Sequence, residues 1–255
     1  LMTPSASERE EIEDSSMANL DGELVRAFLE RNKGRRLEGI STIDEQLHWL
    51  GVTSKNGKLS LCGLVALGQF PQQFLPTCSI DVIAWPGTAF NLEANLRYTD
   101  RLICEGPLPV MVCDAVAFVM RNLRHCGVVQ GVGRIDIPEI PRDAIREAIA
   151  NAVIHREYSP QFRGGPVRVN IYYDYVEITN PGGLWGGKNL LNISDGNSRC
   201  RNPTLMRMIR DVPLSSEIGT GTEGIGRGVS TMTKKMRDQG LPAPSFKVAP
   251  DQVTV

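Results

Sequence analysis

Apolar residues recur at three- and four-residue steps through residues 141–158 (PRDAIREAIANAVIHREY), the stretch around which the rest of the chain is organised. Ile145, Ala148, Ile149, Ala152 and Val153 share one face, which predicts an amphipathic helix. Pro141 suits its first turn, and Asp143 places an acid at the positive end of the helix dipole. Glu147, Asn151 and His155 form a second stripe, each four residues after the last. A solvated face usually sets Lys or Arg one turn beyond a Glu. Here Glu147 has an amide ahead and Asp143 behind, which suggests an acid held for something outside the helix. The bland alternative is that Glu147 pairs with a distant arginine while Asn151 satisfies a loop.

The same pattern reading places the other elements. Residues 1–18 read as a linker or frayed acidic helix. Short helices are expected from Asp21 (Leu24, Phe28 and Leu29 on one face) and over residues 42–50, where Thr42 and Glu45 have capping-box spacing. Residues 54–71 predict a turn, an extended piece and a third apolar helix. A Pro-bounded break at residues 70–76 predicts a boundary between a helical segment, 1–75, and a larger domain, 76–255. Beyond it come a strand at 79–85, a long apolar helix at 109–125 and strand pieces within 128–137. Two strands, 167–172 and 175–179, meet at a tight turn at Tyr173-Asp174. A glycine loop (NPGGLWGG), a short helix at 204–210, a second glycine loop (GTGTEGIGRG), a helix to about Gln239 and one or two closing strands complete the chain. This order predicts an α+β sandwich with helices on one face of a sheet.

Composition narrows the function classes. The 255 residues carry a net charge of −1, which argues against a broad electrostatic grip on nucleic acid. Residues 1–75 hold 11 acidic against 8 basic side chains, so DNA reading by that part is disfavoured. No apolar run reaches membrane length, and the acidic start is no secretory signal. The first residue is not Met, and the sequence is read as part of a longer protein. Six cysteines without CxxC spacing fit reduced thiols and a cytoplasmic location, and His48, His125 and His155 form no zinc pattern.

The chemistry-bearing motifs are the stripe and the two glycine loops. Residues 219–224 form a formal GxGxxG, but no strand precedes it and no βαβ unit follows. Residues 182–188 read GxxxxGK, yet Asn189 stands where a P-loop needs Ser or Thr. What survives is physical. Gly221, Gly224, Gly226 and Gly228 run into a helix N-terminus, where free N–H groups favour phosphate. Asn151 could hold a metal through its carbonyl oxygen, and Glu147 could orient or deprotonate a water. The cluster Arg199, Arg201, Arg207 and Arg210 reads first as a solvated face, with contact to phosphate or a partner as the alternative.

REAIANAVIHREY, VEITNPGGL, SRCRNPTL and EGIGRGVSTMTKKMRDQGLPAPSF resemble the RecG-related transcriptional-regulator family, over roughly residues 40–250. The resemblance implies a C-terminal domain akin to the GHKL (Bergerat-type) ATPases, a two-layer α/β sandwich behind a small helical, winged-helix-like connector. It implies ATP and Mg2+ as cofactors, DNA contact through a Schlafen-type domain absent from this chain, a homodimer, and no helicase motor. Glu147 matches the catalytic glutamate and Asn151 the magnesium-binding asparagine. His155, Asn180, Gly182 and Gly183 fall in the nucleotide site, and Gly221, Gly224 and Gly226 match the lid over the phosphates. Such sites carry an Asp ahead of the first glycines, where this chain has Asn180-Pro181. The alternative on that ground is a fold without nucleotide, serving as a dimerisation or ligand-sensing module.

Overall fold

The computed structural model describes residues 6–34, 36–88, 97–130, 133–197, 199–212 and 228–255. Three helices open the chain: α1 (Gly22–Asn32), α2 (Ile43–Trp49) and α3 (Leu61–Leu67). Each starts on a side-chain cap that the sequence supplies: Asp21, Thr42 and Ser60 accept backbone N–H groups of the first turn. All seven residues of α3 are buried. Strands β1 (Ile80–Ala84) and β2 (Asp100–Cys104) follow, then α4 (Leu108–Asn122). Strands β3 (His125–Gln130) and β4 (Gly133–Pro138) form an antiparallel pair. Among the described residues this pair joins no other strand. Next come α5 (Arg142–Ile154), β5 (Val167–Ile171), β6 (Val176–Pro181), α6 (Pro203–Asp211), α7 (Gly228–Asp238), β7 (Lys247–Val248) and β8 (Gln252–Thr254).

Among the described residues six strands make one mixed sheet in the order β2-β1-β5-β6-β8-β7. Only β1 and β5 run parallel; the other neighbours are antiparallel. Alternation sets the inner face: Ile80, Val82, Ala84, Val167, Val169 and Ile171 are buried, whereas Arg168 faces water. Helices α4 and α5 cover that face, α7 packs on α5, and α6 packs on α3. The result is a mixed α+β architecture consistent with an α/β ATPase-like fold. One core runs from Leu61 and Leu64 through Val116 to Ile149 and Val169.

Two expectations need correction. Residues 6–18 are not a loose linker. Glu8, Ile12 and Ser15 are buried, and Ile12 and Leu61 exchange bonds across this segment with Leu59 and Glu10. The central helix also stops at Ile154 rather than running to Tyr158. Its last carbonyls are taken from outside. The Asn202 amide donates to the carbonyls of Ile154 and Arg156 (both 2.8 Å), and Arg201 donates to that of His155 (3.2 Å). Glu157 N–H then bonds Pro181 O at 2.9 Å, which turns the chain toward the end of β6.

Candidate functional site

Helix α5 turns its apolar residues to the sheet and its polar stripe toward α7. Glu147 is buried at 7% exposure, although an acid on a surface stripe would ordinarily lie in water. Asn151, one turn on, is half-buried. Both face the start of α7. A methyl group at Gly228 would lie 2.6 Å from Asn151 Nδ2 and 2.7 Å from Glu147 Oε1. The backbone of the α7 N-terminus therefore sits directly against the acid–amide pair.

Beside the pair opens a cavity of about 160 Å³. Asn151 and His155 line it from α5, Asn180 and Gly183 from β6 and its exit, and Trp185 and Phe246 add aromatic surface. The cavity is small against the roughly 300–1,000 Å³ usual for ligand sites and has room for one flat ring system. Asn180 is buried at 8% and belongs to the ladder of β6, paired with Val253. Gly183 has no room for a side chain, because a Cβ there would come within 2.9 Å of the carbonyl oxygens of Pro250 and Ala249. Gly182 lies beside the cavity rather than in its wall. Its φ of +98° and its crowding by Arg201 and Glu157 (Cβ at 2.5 Å) explain the glycine, and its N–H bonds Asp251 O at 2.7 Å. Gly221, Gly224 and Gly226 fall outside the described residues.

Arg201 lies behind the wall and joins His155 to Gly183. Its guanidinium is buried, donating to His155 O (3.2 Å) and Gly183 O (2.7 Å), 3.7 Å from Glu157 Oε2 and 5.4 Å from the Trp185 ring centre. The expectation of a solvated arginine face fails at this residue, because three acceptors and an aromatic ring replace its water. Arg199 and Arg210 do stay exposed. Burial, with Arg201 nearby, pushes the His155 imidazole down to about 4. His155 is therefore neutral at physiological pH, able to hydrogen-bond but not to counter a phosphate charge. Lys188 is committed to its own loop, pairing with Asp195 and donating to Asn192 O at 3.0 Å. That commitment leaves no phosphate-binding lysine for a P-loop reading.

Among the described residues no cluster of three or more His, Cys, Asp or Glu could hold a metal. The oxygen donors that could serve a cation here are the Glu147 carboxylate and the Asn151 amide oxygen, both beside Gly228. Phe246 was not picked out from the sequence, and Arg201 was read first as part of a solvated face. The Arg-Asn-Pro run just ahead of a helix was the available signal, since both Arg201 and Asn202 cap α5.

Residues 164–255 match the family model described as "Putative ATP-dependent DNA helicase recG C-terminal". The match supports an ATPase-like, RecG-related C-terminal part. It includes Asn180, Gly182 and Gly183, while Glu147, Asn151 and His155 lie before it. No curated protein matches the chain. Among solved structures the chain is similar in fold to the DIP2311 protein from Corynebacterium diphtheriae, with 20% identity and a TM-score of 0.66. The likeness covers 98% of this chain and 47% of that one, so this chain spans about half the length of the protein it matches. No helix of the described residues is long and apolar enough to cross a membrane.

Proposed function

We propose that this chain is a GHKL-like nucleotide-binding module taking ATP with Mg2+, with slow hydrolysis. Residues 76–255 form that module, and residues 1–75 are a helical, winged-helix-like connector to it. One observation carries the reading: a buried acid and an amide lie against the backbone start of a helix, next to a cavity of ring size. The base enters the cavity between Asn180, Gly183 and the aromatic rings. The phosphates lie toward Gly228 of α7; the resemblance assigns their cover to Gly221, Gly224 and Gly226, which fall outside the described residues. Asn151 offers its carbonyl oxygen to the metal, which when bound neutralises phosphate charge. Glu147 orients a water and accepts its proton, its carboxylate lying beside Asn151 at Gly228. His155 contributes a neutral hydrogen-bonding group. Regulation of a DNA-associated process, through a DNA-contacting domain and a homodimeric assembly, is the wider part of the same proposal.

The second reading, a ligand-sensing module without nucleotide, is favoured by one feature. An apolar cavity of about 330 Å³ lies behind Ala148, Ile178, Met232 and Val255, which also line the first. Calorimetry with ATP-Mg separates the two. The nucleotide reading expects heat of binding in wild type and in Glu147→Gln, with hydrolysis reduced about 10²–10⁴-fold in the variant. Absence of binding at millimolar ATP-Mg discards it.

A further inference from the structure

The N-terminal segment supplies a cap that α6 cannot supply for itself. Asn202 stands at the N-cap of α6 with its Nδ2 turned to the α5 carbonyls, and its Oδ1 accepts no N–H of the first turn. Pro203 follows with no N–H to satisfy. The next two N–H groups, of Thr204 and Leu205, donate to Glu8 Oε2 at 2.9 and 3.1 Å, and the Thr204 hydroxyl donates to Glu8 Oε1 at 2.8 Å. Glu8 is 1% exposed and 196 residues away in sequence from Thr204. Two residues on, Glu10 pairs with Arg163, whose Nε donates to Tyr158 O at 2.9 Å. The strap of residues 6–12 thus touches both segments that flank the end of α5.

We infer that Glu8 is a positioning residue for the cavity. Its carboxylate fixes the first turn of α6. That turn fixes Asn202 and Arg201, which hold the carbonyls of Ile154, His155 and Arg156 and the carbonyl of Gly183. Two walls of the cavity, the α5 end and the β6 exit, therefore take their spacing from a segment that does not line it. A displacement of residues 6–12 reaches the cavity through α6.

The nucleotide part of this inference rests on the proposed function; the spacing part does not. The test is amide hydrogen exchange on the full 255-residue chain, wild type against Glu8→Ala. Faster exchange is expected in the first turn of α6 and also in residues 154–157 and 182–185, with strand β1 unchanged. ATP-Mg affinity is expected to fall about fivefold, the size of a lost helix cap. Glu8→Gln, which keeps one oxygen acceptor, should give a smaller change in the same residues and covers the case in which Glu8→Ala does not fold. Exchange confined to residues 6–12 and the α6 first turn would overturn the inference, leaving Glu8 as a structural cap alone. If wild type binds no ATP-Mg, the nucleotide reading fails and the exchange pattern still decides the role of Glu8.

Discussion

Gly228 has its missing side chain's place taken by Glu147 and Asn151. The atoms in the way are the tips of side chains, which can swing aside, so Gly228→Ala should cost stability by no more than about 1 kcal/mol. What it should change is the pair. Calorimetry is expected to show ATP-Mg affinity at least about tenfold weaker, with a thermal midpoint close to wild type. Single residues were also where the sequence was hardest to read. Glu147 and Asn151 stood out because their neighbours along one helix failed to neutralise them. Glu8 and Arg201 gave no such sign, since their partners come from distant parts of the chain and only the folded topology brings them together. Pro181 misled in another way. A proline after a strand suggests a loop, but it sits at the last position of β6, opposite Gln252, where the ladder ends.

Elements were legible wherever a local cause sufficed. The three-to-four periodicity of α5, the Thr42 cap of α2 and the turn at Tyr173-Asp174 all depend on neighbours in sequence and appear in the fold, although Glu45 takes the Thr42 hydroxyl rather than its backbone N–H. The end of α5 depended on Arg201 and Asn202, and the sequence reading ran past it. Helix α3 shows how tightly elements meet. Gly63 packs on the backbone of Val52, where an added Cβ would lie 2.8 Å from Val52 Cα and closer still to its carbonyl oxygen. Backbone cannot swing aside as a side-chain tip can. Gly63→Ala should therefore destabilise the chain by about 2–3 kcal/mol, seen as a lower urea midpoint, while any ATP-Mg binding by the folded fraction stays unchanged.

At the scale of the whole molecule, the desolvated His155 gives the chain a pH dependence. In the unfolded chain its pKa is about 6.5; in the fold it is about 4. Below about 6.5 the unfolded state takes up a proton that the folded state refuses. Its contribution to stability is therefore intact above that value, falls as pH drops toward about 4, and levels off below. Asp143 and Asp195, held below the ordinary carboxylate range by Lys235 and Lys188, lose their contributions only in more acid solution. Urea midpoints measured from pH 7.5 to 4.5 should decline in wild type and decline less in His155→Asn; equal slopes would contradict the assignment. Overall class was readable from element order, but the way residues 6–75 share one core with the sheet was not, because burial between distant segments leaves no periodic trace.

The guanidinium of Arg201 works like a rivet through two plates, reaching the last turn of α5 and the carbonyl of Gly183 at once. Prying those plates apart would strand a buried cation, at a cost of several kcal/mol. The spacing of those two walls is thereby held by one buried side chain.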